Sequence, residues 1–138
     1  MQKVSAKLKK NKTKILGVTI LTSLNSYQTK KYYNTENINQ LVKKFALNAK
    51  KNNLDGIVCS PLEITTVRKE VGHKMLIIVP GIRLEKKQNS KKDDQKRILT
   101  PKEAINLGAD YLVIGRPIVE SNNPLKTLKE INKSIINK

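Results

Sequence analysis

The 138-residue sequence has no tryptophan, one phenylalanine, one histidine and one cysteine. With a single thiol, Cys59, no disulfide can form within the chain and nothing points to an oxidising compartment, so the expected location is the cytoplasm. One histidine and one cysteine supply neither a metal-ligand spacing nor a Ser/His/Asp arrangement, so no cofactor or metal is expected. Long apolar runs are also lacking. The longest, 15–21 and 75–79, fall far short of the ~18–20 residues that span a bilayer, which excludes a membrane-spanning helix. Residues 1–24 pair lysines with a short apolar run, as signal peptides do, but Thr19, Thr22 and Ser23 interrupt that run and no small-residue cleavage site follows. A basic helix over 1–14 followed by a strand fits better.

Acidic residues are scarce as well, 11 against 28 Lys and Arg, for a formal charge of +17. Such a charge suits polyanion binding through counterion release. Here 24 of the 28 cations are lysines spread along the whole chain, and the few aromatics form no repeated basic–aromatic pattern. We read a solvated lysine-rich surface with no nucleic-acid partner. At 38% hydrophobic residues, the chain has enough apolar material for a folded core.

That material is arranged as strand and helix in alternation. Short apolar runs at 15–21, 56–59, 76–79 and 111–114 have the character of parallel strands buried on both faces. Between them, Ile38, Leu41, Val42, Phe45, Ala46 and Ala49 make one helical stripe, and Leu125, Leu128, Ile131, Ile135 and Ile136 make another. Ser60-Pro-Leu-Glu63 and Thr100-Pro-Lys-Glu103 are capping boxes with proline at the first helical position, and Asn123-Pro124 is a third helix start. Asn53, Gly72 and Gly108 sit where left-handed helix ends are expected, each shortly before a strand.

The result is a single α/β domain over 1–138, with four β/α units over 15–138. Four units are half of an eight-stranded barrel, which takes ~250 residues, so the expectation is half of a (β/α)8 barrel with its N-terminal half outside this sequence. A four-stranded open sheet would leave apolar strands at two edges, inviting a second chain.

Chemistry concentrates after the third and fourth strands. Pro80-Gly-Ile-Arg83 pairs a permissive glycine with a forked donor, and Ile114-Gly-Arg-Pro117 offers Gly115 for close approach to a phosphate and Arg116 for bidentate pairing. Three of the four arginines lie at or near these turns, in the loops where barrels commonly hold a phosphate. Residues 80–100 are polar and without period, and 81–99 has the length of an active-site lid. Its cluster Asp93-Asp-Gln-Lys-Arg97 reads either as solvated charge or as a lid whose Gln95 amide reaches a phosphate. Thr22 and Ser23 close the first strand. Cys59 reads as a small buried hydrophobe and His73 as a structural or exposed side chain.

Taken in order, Gly17-Val-Thr-Ile-Leu-Thr-Ser23, Leu54-Asp-Gly-Ile-Val-Cys-Ser60, Val79-Pro-Gly-Ile-Arg83, Asp94-Gln-Lys-Arg-Ile-Leu-Thr-Pro101 and Gly108-Ala-Asp-Tyr-Leu-Val-Ile-Gly-Arg-Pro-Ile118 resemble the C-terminal half of the bacterial orotidine 5'-phosphate decarboxylase family. The resemblance implies the phosphate-binding half of a TIM barrel, in a lyase that converts orotidine 5'-phosphate (OMP) to UMP and CO2 in pyrimidine biosynthesis. Carried onto matching positions, it implies that Thr22 contacts the nucleotide, Arg83 and Gln95 act from the lid region, and Gly115 with Arg116 holds the 5'-phosphate. It further implies a homodimer for the full-length enzyme, no cofactor, and a lysine that protonates the carbanion left by CO2. The family's Asp-x-Lys-x-x-Asp motif does not occur in this sequence. The chain is therefore expected to carry no catalytic residues and to be inactive alone. It would act as a fragment or split-enzyme subunit needing a complementary N-terminal half, or as a non-catalytic phosphate-binding half-barrel.

Overall fold

A computed structural model describes residues 13–20, 24, 26–84 and 99–136. The basic stretch at the start of the chain, read above as a helix over 1–14, lies outside them except for its last two residues.

Four strands form one parallel sheet in chain order: β1 (Leu16–Val18), β2 (Gly56–Val58), β3 (Leu76–Pro80) and β4 (Tyr111–Val113). Two helices follow β1, α1 (Ser26–Tyr33) and α2 (Ile38–Lys51); α3 (Ile64–Val71) follows β2, and α4 (Pro101–Asn106) follows β3. After β4 come the single turn α5 (Arg116–Val119) and the long α6 (Pro124–Ile136). The connections are those of successive β/α units wound the same way, as half a barrel requires.

The punctuation read from sequence organises these elements. Thr100 accepts from the Glu103 backbone N–H while the Glu103 carboxylate accepts from the Thr100 N–H at 2.9 Å, closing a reciprocal box at the start of α4. The Asn123 side chain accepts from the Lys126 N–H at the start of α6, and Asn37 does the same for Gln40 in α2. At Ser60 the N–H donates to Glu63, but Pro61–Glu63 forms a 3-10 turn before α3 begins. Asn53, Gly72 and Gly108 have φ of 54°, 73° and 107°, so all three helix ends reverse through positive φ as expected.

A device not read from the sequence fixes the strand starts. Asp55 stands immediately before β2: its N–H donates to the Ile15 carbonyl and its carboxylate accepts from the Ile15 N–H, both at 2.9 Å. Asp110, immediately before β4, grips Ile77 of β3 in the same two-bond manner. Each aspartate thus sets the register of a neighbouring strand with backbone and side chain together.

The helices cover one face of the sheet. On that face Ile57, Ile77 and Val79 are buried against Val42 and Ala46 of α2 and Ile64 and Val67 of α3, with Ala104 of α4 in the same cluster. Gly17 faces α2: a Cβ there would meet Ala49 and Leu54 at 3.3 and 3.1 Å. Its neighbours Leu16 and Val18 therefore point to the opposite face, because side chains alternate along a strand.

Two expectations need correcting. The edge strands are not buried on both faces: Leu16 and Val18 of β1 are 40% and 57% exposed, and Tyr111 and Val113 of β4 are 57% and 53% exposed. They line the face that no helix covers. The stripe of α6 is also only partly covered. Ile131 is buried, whereas Leu125, Leu128 and Ile136 are exposed, because among the described elements only α4 and α5 pack on this helix in quantity.

Candidate functional site

Parallel strands bring all four C-terminal ends to one side of the sheet. There, Pro80 is in register with Val113, and the two arginines lie three residues beyond these partners, Arg83 after β3 and Arg116 after β4. Neighbouring strands run only about 4.8 Å apart, so the paired strand ends deliver two guanidinium groups to the same rim.

Each turn is built for its place. Gly81 has φ of 81°, a conformation that side-chained residues rarely adopt. That reversal returns Ile82 to the core, 1% exposed, and leaves Arg83 half-buried above it. The Arg83 N–H donates to the Leu99 carbonyl at 3.2 Å, tying together the two ends of the long 84–99 connection. After β4, Gly115 is exposed, with nothing within 4 Å of where a Cβ would stand, and its carbonyl accepts from the N–H groups of Ile118 and Val119 to start α5. Arg116, the first residue of that turn, is exposed, and among the described residues its guanidinium has no hydrogen-bond or ion-pair partner.

Of the residues singled out from sequence, the structure thus places Arg83, Gly115 and Arg116 together at one end of adjacent strands. Thr22, Gln95 and residues 85–98 of the 81–99 loop lie outside the described residues. Among the described residues no three His, Cys, Asp or Glu side chains gather to hold a metal ion, and no helix is long and apolar enough to cross a membrane.

Cys59 follows β2 near the same rim but is 2% exposed. Burial, reinforced by the Glu63 carboxylate, pushes its thiol up to about 12 from a usual value of 9.0. A thiol reagent at pH 8 should therefore leave Cys59 unmodified until the chain is unfolded in denaturant, then label it fully. Labelling of native chain at the rate of a free thiol would refute the burial argument. The sign of the linkage follows. Between about pH 9 and 12 the unfolded thiol ionises and the folded one does not, so this group's contribution to stability is complete below pH 9 and declines above it.

Sequence reasoning missed Arg68, at the opposite, N-terminal end of the strands. Its guanidinium donates to the carbonyls of Gly72, Met75 and Gly108 and to the Asp110 carboxylate, the last at 2.6 Å. The sequence signal was available: it is the one arginine away from the phosphate turns, in a chain that otherwise uses lysine.

The whole arrangement can be set against known proteins. The family model described as "Orotidine 5'-phosphate decarboxylase / HUMPS family" matches residues 1–131. The chain belongs to this family. It is 47% identical over 126 residues to the orotidine 5'-phosphate decarboxylase of Coxiella burnetii, covering 91% of this chain and 52% of that one. It is 48% identical over 124 residues to the enzyme of the same name from the Wolbachia of Culex pipiens, covering 90% and 53% respectively. The crystal structure of orotidine 5'-phosphate decarboxylase from Lactobacillus acidophilus superposes with a TM-score of 0.70 at 30% identity, over 89% of this chain and 49% of that one. This chain thus spans about half the length of the decarboxylases it matches, and its four β/α units correspond to half of their barrel.

Proposed function

We propose that this chain is the phosphate-binding half of an orotidine 5'-phosphate decarboxylase, with Gly115 and Arg116 holding the 5'-phosphate, Arg83 and Gln95 acting from the lid region beside it, and Thr22 contacting the nucleotide. The observation that carries the reading is the register of β3 with β4, which sets Gly-Ile-Arg and Gly-Arg turns side by side at the strand ends. A phosphate monoester carries nearly two charges, and forked guanidinium donors meet its oxygens in pairs. Arg116, exposed and without a partner among the described residues, is available for such a contact without breaking another of theirs.

In the complete enzyme, binding at this remote group would contribute to holding the pyrimidine for reaction, so phosphate contacts serve rate as well as affinity. The substrate is a soluble nucleotide and the expected site of action is the cytoplasm, with the homodimer of the family as the working state of the full-length enzyme. Titration of the purified chain with UMP and with uridine, followed by ligand-observed NMR, tests the reading. UMP should bind and uridine should not, and Arg116→Ala should weaken UMP binding at least tenfold, since a hydrogen bond to a charged group contributes about 1.5–3 kcal/mol. Equal binding of uridine and UMP, or an Arg116→Ala variant indistinguishable from the parent, would sink it.

A further inference from the structure

At the N-terminal end of the strands, away from Arg83 and Arg116, lies a groove of about 670 Å³. That volume is within the ~300–1,000 Å³ of small-molecule sites. Val71 and Met75, both buried, form part of its lining, and its basic side chains are Lys14, Lys50, His73 and Lys74. Register gathers these lysines. Leu16, Gly56 and Leu76 are partners across β1, β2 and β3, and Lys14 and Lys74 each stand two residues before a member of that row. Their backbones therefore flank β2 at matching heights, roughly 10 Å apart at two strand spacings. Lys50 adds a third ammonium from the last turn of α2.

The ordinary task of a lysine in such a place is to answer the carbonyls that a helix end leaves open. Lys50 does so, donating to the Glu70 carbonyl at 2.9 Å. Lys14, His73 and Lys74 do not: all three are exposed, and among the described residues their side chains have no hydrogen-bond or ion-pair partner. The one carboxylate of the lining, Asp55, is engaged by the Ile15 N–H. Three ammonium groups against one carboxylate already in use leave an excess of positive charge in a concave place.

The backbone has the same bias. In the connection from α3 to β3, Arg68 donates to the carbonyls of Gly72 and Met75, while the N–H groups of His73, Lys74 and Met75 have no partner among the described residues. Two acceptors are taken and three donors remain. Such a loop beside three ammonium groups suits an anion and repels a cation. A single phosphate is small against the span from Lys14 to Lys74. A row of three is commensurate with it and carries a negative charge for each ammonium group.

We propose that this groove binds an oligophosphate, a chain of three phosphates free or carried by a nucleoside, held by Lys14, Lys50 and Lys74 together with the N–H groups of residues 73–75. The proposal does not rest on the nucleotide reading of the opposite rim, so the two fail separately.

His73 is the only histidine of the chain, so its imidazole resonances report on the groove directly. The purified chain is titrated with tripolyphosphate, with ATP and with orthophosphate at about 150 mM salt, and the His73 ring signals are followed by NMR. Tripolyphosphate should displace them saturably and bind at least tenfold more tightly than orthophosphate. ATP binding more tightly than tripolyphosphate identifies a nucleoside triphosphate as the ligand; equal or weaker binding identifies the phosphate chain alone. Lys14→Ala and Lys74→Ala should each weaken tripolyphosphate about tenfold, the loss of one hydrogen bond to a charged group. Lys44→Ala, which removes the same charge from an exposed site outside the groove, should change it less than twofold, and Arg116→Ala should leave it unchanged. Lys14 and Lys74 are exposed, so the far-ultraviolet circular dichroism of the chain should be the same in both variants; where an alanine alters it, Lys14→Gln or Lys74→Gln is read in its place. The proposal is overturned by His73 signals that do not move, or that sodium chloride of equal ionic strength moves as far. Orthophosphate binding as tightly as tripolyphosphate overturns it too, as does binding indifferent to Lys14 and Lys74.

Discussion

Replacing Arg68 with methionine should destabilise the chain by about 2 kcal/mol, within the range for leaving poorly hydrated hydrogen-bond acceptors without donors. The magnitude follows from what the guanidinium holds. It closes the carbonyls of Gly72 and Gly108, which follow α3 and α4, and that of Met75, which precedes β3. Helix ends leave carbonyls without intrahelical partners, and here one side chain supplies donors to two such ends at once. It also binds Asp110, which in turn accepts from the Ile77 N–H and sets the start of β4 against β3. The Arg68 side chain is only 11% exposed, so the abandoned carbonyls would be poorly reached by water. Asp110 is 36% exposed and retains its backbone partner, which is why the loss should not reach the upper end of the range. Arg68→Lys should recover less than half of it, because one ammonium cannot span three carbonyls and a carboxylate as the planar fork does. Urea unfolding followed by circular dichroism gives the number directly. A loss below about 1 kcal/mol for Arg68→Met would show that the network contributes little beyond surface pairing.

Arg68 also marks the boundary of what the sequence made legible. Strand and helix positions could be read because their signals are local: proline after a capping residue, asparagine or glycine at a helix end, one apolar stripe on a lysine-rich helix. The structure follows those signals at Thr100, Asn123, Asn53, Gly72 and Gly108. Arg68 and Asp110 act across 42 positions, and the Asp55 grip on Ile15 across 40, so no spacing rule announces them. Helix α1 was not anticipated for a different reason. Ser26–Tyr33 has no stripe, and it is held partly by tertiary contact, such as the edge-on packing of Tyr33 against Phe45 at 5.9 Å.

The exposed edges show the same division. Apolar runs predict burial for a strand with neighbours on both sides, and in β2 and β3 this holds on the helix-covered face for Ile57, Ile77 and Val79, whereas Val58, Leu76 and Ile78 on the other face are only half-buried. Whether a given strand has such neighbours depends on what else is present, and for β1 and β4 no neighbour lies on the outer side among the described residues. For the site, the glycine and arginine turns were legible because strand ends are where a parallel sheet presents loops. Their register, Pro80 opposite Val113, is a property of the sheet and had to come from the structure.

The purified 138-residue chain should show no conversion of OMP to UMP above the rate in buffer. The expectation turns on which end of the nucleotide each group serves. On the proposed reading, this chain's residues would act on the phosphate and its surroundings, whereas the carboxylate would leave from the pyrimidine ring at the far end. Binding energy gained at a remote group accelerates a reaction only if the protein also stabilises the transition state at the reacting atoms. The charged network and proton-donating lysine that the family resemblance implies belong to an Asp-x-Lys-x-x-Asp motif. Of the four aspartates, Asp94-Gln-Lys96 lacks the second aspartate, which would fall at Leu99, and Asp55, Asp93 and Asp110 have no lysine two residues on. Asp55 and Asp110 are also committed to the strand starts, at the end of the sheet away from Arg83 and Arg116. No aspartate of this sequence therefore starts an Asp-x-Lys-x-x-Asp motif. The measurement is release of labelled CO2 from carboxyl-labelled OMP by chain purified from a host lacking its own decarboxylase, with UMP binding on the same preparation as proof that the phosphate site is formed. Turnover that co-purifies with the chain and falls with Arg116→Ala would show that this half holds a catalytic group of its own. Binding without turnover is the expected result, and it would separate the two tasks of the barrel, recognition of the phosphate and chemistry at the base, into its two halves.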